Sequence, residues 1–168
     1  MEAENKVSVL FVCMGNICRS PTGEGVFQHY VNDSGYADQI HIDSAGTIAY
    51  HEGELADARM RDVAARRGYQ LLSLARKVTV QDLETFDLVV AMDTDNLMDM
   101  ESMIDGPQQH IRLLGTFLDD YKNNYDAPSV PDPYYGGTAG FEQVLDMIES
   151  ACPMMLSHCL ELISNKNQ

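Results

Sequence analysis

The sequence Val-Ser-Val-Leu-Phe-Val-Cys-Met-Gly-Asn-Ile-Cys-Arg-Ser-Pro occupies residues 7–21 and carries an apolar run straight into a cysteine. The run is rich in β-branched and aromatic side chains without polar alternation, which predicts a strand buried on both faces of a parallel sheet. Cys13 ends this strand. Open α/β sheets bind ligands at the carboxyl ends of their strands, beside helix N-termini that attract anions. The stretch therefore predicts an α/β fold with a site around Cys13.

The loop after the cysteine has the composition of an anion-binding loop. Ser20 is expected to be the N-cap of the next helix and Pro21 its first residue. Gly15 and Asn16 tolerate the left-handed backbone conformations that a tight curl requires. Residues 14–18 are therefore expected to point their N–H groups at the three oxygens of a phosphate group.

Cys13 and Arg19 would supply the reactive groups. The guanidinium is a planar, permanently charged fork that matches two phosphate oxygens. A cysteine beside inward N–H groups, a helix N-terminus and a guanidinium is expected to be a thiolate nucleophile at neutral pH. A cysteine at a strand end is often only a small buried hydrophobe. The order strand, loop, arginine and helix favours the nucleophile here, because each part has a task in one mechanism.

A second motif, Val-Pro-Asp-Pro-Tyr-Tyr-Gly-Gly at residues 130–137, holds a carboxylate between two prolines. Each proline fixes its own φ, and Pro133 also restricts Asp132, so the carboxylate has little freedom to lose. Asp-Pro can simply begin a turn. Together with the cysteine loop, the motif instead predicts Asp132 as a general acid.

Residues 12–21 and 132–134 resemble the low-molecular-weight protein tyrosine phosphatase family. Residues 43–47, 91–93 and 136–142 are also similar to the family in order and spacing, so the likeness covers nearly the whole chain. The resemblance implies hydrolysis of protein phosphotyrosine to tyrosine and inorganic phosphate through a phosphocysteine. The implied partners are phosphotyrosine-containing proteins, and phosphate or other oxyanions in the loop.

The resemblance also implies roles for individual residues. Cys13 would be the nucleophile, Arg19 the clamp on phosphate and transition state, and Asp132 the acid and later the base. Ser20 would donate a hydrogen bond to the thiolate, and a network including Ser44 would hold Asn16 in a strained conformation. The predicted substrate-binding residues are Met14, Gly15, Asn16, Ile17, Cys18, Ser20, Tyr50 and Tyr134.

Substrate choice follows from three of these positions. Tyr50 and Tyr134 match the aromatic walls of a deep slot in the family, and a phenyl phosphate can stack there; alternatively, Tyr134 and Tyr135 only pack their loop. Phosphoarginine-specific relatives carry threonine where this chain has Ile17, which favours phosphotyrosine. Gly23 replaces the alanine common in the family and is expected to weaken its helix by up to ~1 kcal/mol.

Cys18 places a second thiol in the loop. It is expected either to trap an oxidised Cys13 as a disulfide, which prevents over-oxidation, or to be a small buried support. Cys152 and Cys159 cannot pair with each other on a continuous helix, because seven residues at ~1.5 Å rise separate them by about 10 Å. With His158 they are expected to belong to an amphipathic helix.

Composition limits the remaining possibilities. A chain of 168 residues with 45% hydrophobic content predicts one domain over residues 1–168. The net charge of −15 disfavours nucleic acid, and the scattered histidines indicate no metal or cofactor. Without a long apolar run or signal peptide, the expected location is cytoplasmic, not membrane-bound. Six of the eleven basic residues lie within residues 59–77; we expect a solvated helix face, or alternatively a basic rim that recruits acidic phosphopeptides.

Strand and helix signals alternate along the chain. This pattern predicts a doubly wound α/β sheet of about four parallel strands with helices on both faces. The predicted strands are 7–13, 40–43, 86–92 and 110–114; the predicted helices are 21–31, 57–67 with Gly68 as its cap, and 141–163 interrupted at Pro153; residues 123–130 are predicted to be a plain loop.

Two alternatives of other classes remain open. An arsenate reductase-type redox enzyme would share the fold and the Cys13 loop, but it would need further cysteines near the site, and residues 93–105 contain none. A phosphotyrosine-binding module would retain Arg19 while losing Cys13 or Asp132. Both of those residues are present.

Overall fold

Residues 6–134 and 136–168 are described by this computed structural model; residues 1–5 and Tyr135 lie outside them. The elements are β1 (Val7–Cys13), α1 (Arg19–Asp33), β2 (Ile40–Gly46), α2 (Ala58–Arg66), α3 (Val80–Thr85), β3 (Leu88–Ala91), α4 (Thr94–Met103), β4 (Ile111–Leu113) and α5 (Thr138–Lys166). Short 3-10 turns cover residues 114–117 and 124–126.

The four strands form one parallel sheet in the order β2-β1-β3-β4. Helices α1, α2 and α5 contribute to the core on one face, and α3 and α4 contribute to the core on the other. Strand β1 is inner and its neighbours pair with it as far as Cys13 opposite Gly46 and Val12 opposite Ala91. The predicted fold class is confirmed, and Cys13 lies at the carboxyl edge of the sheet.

Several predicted boundaries differ from the structure. Strand β2 extends to Gly46, beyond the predicted end at residue 43. The loop at 123–130 contains a 3-10 turn, capped by the Asn123 side chain. Helices α3 and α4 were not predicted, because they are short and only α4 continues for more than two turns. Each begins with a capping box, at Thr79 and at Asp93.

The start of α1 corrects the prediction for Ser20. The helix begins at Arg19, and the Cys18 position that caps it makes no side-chain hydrogen bond. Ser20 therefore lies inside the helix and uses its hydroxyl elsewhere. Pro21 is the third residue of the helix and not the first as predicted, but it still falls in the first turn, where the backbone N–H groups need no helical partner.

Gly23 allows close packing between α1 and the sheet, which offsets the predicted loss of helix stability. A Cβ at this position would lie 2.7 Å from Phe11 Cδ1 and 3.0 Å from Met92 Cε. The glycine thus lets α1 pack closely on the central strand.

Helix α5 continues through Pro153, so the predicted interruption is wrong. The proline removes one backbone hydrogen bond and its side chain is exposed, but the helix is long and buries residues on both sides of it, from Phe141 to Ile163. Cys152 and Cys159 therefore lie on one continuous helix, about 10 Å apart, which is beyond disulfide reach.

Candidate active site

The loop between β1 and α1 follows Cys13 directly and lines the same cavity. Asn16 is the only non-glycine residue of the described chain with positive φ, at 57°. Gly15 has no positive φ, so its expected left-handed conformation is wrong; a Cβ there would instead lie 3.2 Å from His51 Cδ2. Cys13 is 2% exposed, and the Ser20 N–H donates to its sulfur at 3.4 Å.

A buried polar network holds Asn16 in its left-handed conformation. Its Nδ2 donates to Ser20 Oγ at 2.7 Å and to Ser44 Oγ at 3.1 Å. Its Oδ1 accepts from the Arg76 backbone N–H at 3.0 Å. Ser44 Oγ in turn donates to Glu24 at 2.6 Å, and burial raises the pKa of that carboxyl. The strained residue is thus over-determined by its neighbours, as such backbone strain requires.

Ser20 links this network to the nucleophile. Because its Oγ accepts from Asn16, its own proton is available to the Cys13 sulfur at 3.0 Å or to the Ala45 carbonyl at 3.3 Å. The hydroxyl can therefore donate to a thiolate.

Arg19 is 3% exposed and is held by the Asp93 side chain, which caps α4, and by the loop at Val130. Its Nη1 pairs with Asp93 at 2.5 Å and donates to the Val130 carbonyl at 3.1 Å. Its Nη2 lies 3.7 Å from Asp132 Oδ2. Burial alone would lower the pKa of Arg19, but the Cys13 sulfur and the two carboxylates together raise it. The guanidinium is therefore a permanent cation beside the sulfur.

Asp132 is more open to solvent than these groups. Its side chain is 37% exposed, and its Oδ1 accepts from the Tyr134 N–H at 3.0 Å. Asp132, Cys13 and Arg19 nevertheless line one cavity of about 290 Å³. The fold brings together the three groups that the sequence predicted as the reactive set.

The walls of this cavity are largely apolar and aromatic. All predicted substrate-binding residues except Asn16 and Ser20 line it; these are Met14, Gly15, Ile17, Cys18, Tyr50 and Tyr134. Tyr50 is 82% exposed and packs edge-on against His51, with the ring centres 4.8 Å apart. The cavity is open at Tyr50 and closed at the sulfur.

A family model described as low molecular weight phosphotyrosine protein phosphatase matches residues 8–167. The chain belongs to this family. A putative low molecular weight protein-tyrosine-phosphatase of Synechocystis sp. is 40% identical over 151 residues, covering 90% of this chain and 95% of the relative. The rat low molecular weight phosphotyrosine protein phosphatase is 38% identical over 152 residues, covering 89% and 93%.

Solved structures agree with the low molecular weight phosphatase fold. A protein tyrosine phosphatase from Entamoeba histolytica with Hepes in its active site is 40% identical, with a TM-score of 0.84 over 93% of this chain and 98% of that one. A drosophila arginine phosphatase is 33% identical, with a TM-score of 0.78 over 89% and 96%.

Cys18 differs chemically from the other thiol of this phosphatase loop. It is 4% exposed and lines the same cavity. Burial, reinforced by Asp57 and Cys13, raises the pKa of its thiol far above the ordinary range. Cys18 is therefore a neutral thiol at physiological pH.

Sequence reasoning missed three residues of this phosphatase site. Asp93 pairs with Arg19, although the similarity of residues 91–93 to the family had assigned this carboxylate no role. Ile48 and His51 line the cavity, and His51 Nδ1 lies 2.7 Å from Glu54. The N-cap pattern of Asp93 before α4 was a usable signal, whereas nothing local marked the other two.

Within residues 6–134 and 136–168, no group of three or more His, Cys, Asp or Glu side chains is arranged to hold a metal ion. In the same part of the chain, no helix is both long and apolar enough to cross a membrane.

Proposed function

We propose that this chain hydrolyses phosphotyrosine in proteins, with Cys13 as nucleophile, Arg19 as phosphate clamp and Asp132 as acid and base. The observation that carries the proposal is the shared cavity: Cys13 and Arg19 from one loop, and Asp132 from more than a hundred residues later, line one space. Its volume of about 290 Å³ suits a small aryl phosphate.

In the first displacement the Cys13 sulfur attacks phosphorus and the bond from phosphorus to the phenolic oxygen breaks. Asp132 gives its proton to that oxygen, so that tyrosine leaves neutral. In the second, Asp132 takes a proton from water, the oxygen of that water attacks phosphorus, and the S–P bond breaks. Inorganic phosphate leaves and the thiolate returns.

Preorganised charge stabilises both transition states. Arg19 is already oriented by Asp93 and by the Val130 carbonyl, so it needs no rearrangement as the equatorial oxygens gain charge. The N–H groups of residues 14–18 bind those oxygens, and the same donors hold inorganic phosphate or another oxyanion after the reaction. Ser20 stabilises the thiolate.

The cavity walls favour an aromatic phosphate ester. Tyr50 and Tyr134 flank the ring, and Ile17 offers it an apolar contact. Because a structural neighbour is an arginine phosphatase, phosphoarginine is the comparison substrate. Ile17 offers no hydroxyl to a guanidinium, which supports phosphotyrosine.

The protein works in the cytoplasm, where its four free cysteines stay reduced. When a peroxide oxidises Cys13 to sulfenic acid, the Cys18 thiol attacks that sulfur and water leaves, forming a disulfide. The raised pKa of Cys18 makes this step slow.

An arsenate reductase relay is disfavoured, because Cys152 and Cys159 are buried on α5 and burial raises the pKa of each to about 12.

The test is hydrolysis of phenyl phosphate and p-nitrophenyl phosphate in EDTA and reductant. Cys13→Ser is expected to abolish turnover of both esters, and Cys152→Ala is the control for a thiol elsewhere. Asp132→Ala is expected to lose about 10²–10⁴-fold on phenyl phosphate and much less on the nitrophenyl ester, whose leaving group needs no proton. Asp120→Ala, an exposed aspartate, is its control. Wild-type protein inactive on both esters and on phosphotyrosine peptides would overturn the proposal.

A further inference from the structure

A second groove adjoins the catalytic cavity. It has a volume of about 450 Å³ and shares Ile17, His51 and Tyr134 with the cavity. It then continues along the segment that leads into α2, past Leu55, to Arg61. A polypeptide whose phosphotyrosine fills the cavity would extend into this groove across the shared residues.

Both carboxylates in the groove already have partners. Glu54 lies 2.7 Å from His51 Nδ1. Asp57 accepts from Arg59 through both oxygens, at 3.1 and 2.9 Å, and also caps α2. Each carboxylate that lines the groove is therefore already bound to a basic side chain of this chain.

Arg61 is the exception among the charged groups of the groove. Its Nε donates to the Ala56 carbonyl at 2.9 Å, which fixes the direction of the guanidinium. Five of the seven arginines form ion pairs, but Arg61 has no carboxylate within 4.0 Å among the residues that the structure describes. Arg112 also lacks an ion pair, but its guanidinium lies over the Phe117 ring, 4.0 Å from the ring centre, and it does not line the groove.

An unpaired guanidinium is unusual in a chain with a net charge of −15. With Nε occupied, the Nη groups remain for an incoming acceptor, and a carboxylate matches their planar geometry. The negative charge of the distant surface is screened over about 8 Å at physiological salt, so the adjacent cation governs local recognition.

We infer that Arg61 forms a specificity subsite for an acidic residue of the substrate close to the phosphotyrosine. The inference rests on the proposed function and deepens it by naming a substrate class. It also selects one residue from the basic segment 59–77, in which Arg59, Arg66, Arg67 and Arg76 are ion-paired.

The test uses phosphotyrosine peptides in which a single glutamate replaces glutamine at each of three positions on either side of the phosphotyrosine. Glutamine is the neutral isostere, so the ratio of kcat/KM values isolates the charge. In the wild type, one or two positions are expected to show about a threefold to tenfold preference for glutamate, which falls as salt rises.

Arg61→Met keeps the length of the side chain and is expected to bring the ratio to one. Arg61→Lys keeps the positive charge but loses the planar guanidinium, and it is expected to retain part of the preference for glutamate. Arg66→Met is the matched control, because it removes one positive charge from the exposed side of the same helix. It is expected to keep the full preference.

Three results would overturn the subsite: equal turnover of glutamate and glutamine peptides at all six positions, a preference that persists in Arg61→Met, or an equal loss in Arg66→Met. Any of them leaves the proposed function standing, since the wild type still hydrolyses the glutamine peptides. Failure of the wild type on every peptide instead overturns the proposed function and the subsite with it.

Discussion

The two sides of the catalytic cavity are built differently. On the thiol side, Cys13, Asn16 and Ser20 are at most 2% exposed and are joined by side-chain hydrogen bonds. On the acid side, the Asp132 side chain is 37% exposed and has one backbone hydrogen bond and a 3.7 Å approach to Arg19.

This difference follows from what each side must do. Oxyanion stabilisation requires donors fixed before the reaction, and burial with complete hydrogen bonding fixes them. A group that acts first as acid and then as base must exchange protons with water, so burial would hinder it. A substitution on the thiol side should therefore lower both activity and stability. A substitution on the acid side should lower activity alone.

The largest expected effect tests that separation on the acid side. Asp132→Asn keeps the acceptor for the Tyr134 N–H but cannot donate a proton as a carboxylic acid. We expect kcat on phenyl phosphate to fall by about 10²–10⁴-fold, with unfolding free energy within about 0.5 kcal/mol of wild type. Paired urea titrations and rate measurements would check both. A stability loss as large as that of a buried variant would remove the contrast.

On the thiol side, Asn16→Ala should lower both quantities. It removes two side-chain donors and an acceptor from a buried network and places alanine at φ 57°. We expect a loss of about 2–4 kcal/mol in unfolding free energy, with a clear fall in kcat. Asn16→Gly is the control, since glycine tolerates the backbone conformation and isolates the hydrogen bonds. Unchanged stability in both variants would contradict the proposed coupling.

A smaller effect is expected from adding a methyl group at two helical glycines, Gly23 in α1 and Gly140 in α5. Gly23→Ala is expected to destabilise by about 1–3 kcal/mol despite better helix propensity, because Phe11 and Met92 must move. Gly140→Ala, in the first turn of α5, would place its Cβ at an ordinary 3.5 Å from Pro133. We expect this matched variant to gain about 0.4–1 kcal/mol. Thermal unfolding of the two variants should therefore shift in opposite directions.

The smallest effect concerns Glu24 at the outer end of the network. Burial raises the pKa of this carboxyl, so the folded state favours its protonated form. The corresponding stability is complete below the ordinary glutamate pKa and is lost as pH rises through the raised value. Glu24→Gln should thus be more stable than wild type at pH 7, with a smaller gain near pH 4. The exposed Glu52→Gln is the control, and equal differences at both pH values would count against this assignment.

The sequence predicted those parts of the site that depend on local pattern. Cys13, Arg19 and Asp132 stand in short motifs whose neighbours restrict the backbone, and a doubly buried strand is recognisable without knowing its partners. The local pattern assigned the Ser20 hydroxyl to a helix cap, because its partner Asn16 reaches it only after the loop folds; only the family resemblance placed it on the Cys13 sulfur. Asp93 carried the local signal of a helix N-cap, but its contact with Arg19 depends on the sheet order. His51 reaches the cavity through a long loop, which no local pattern encodes.

One hydrogen bond described above bears on how the protein is made. Arg19 donates to the carbonyl of Val130, and the Val130 N–H donates to the Met92 carbonyl, so residues more than a hundred positions apart complete the site. Synthesis delivers the thiol loop first and the acid segment much later. A ribosome-bound chain that has emerged only as far as α4 would hold the proposed nucleophile, Cys13, without the proposed acid, Asp132. Hydrolysis of an ester whose leaving group needs a proton therefore begins only when the last third of the chain has docked, and turnover of phenyl phosphate in a translation reaction would report completion of the fold.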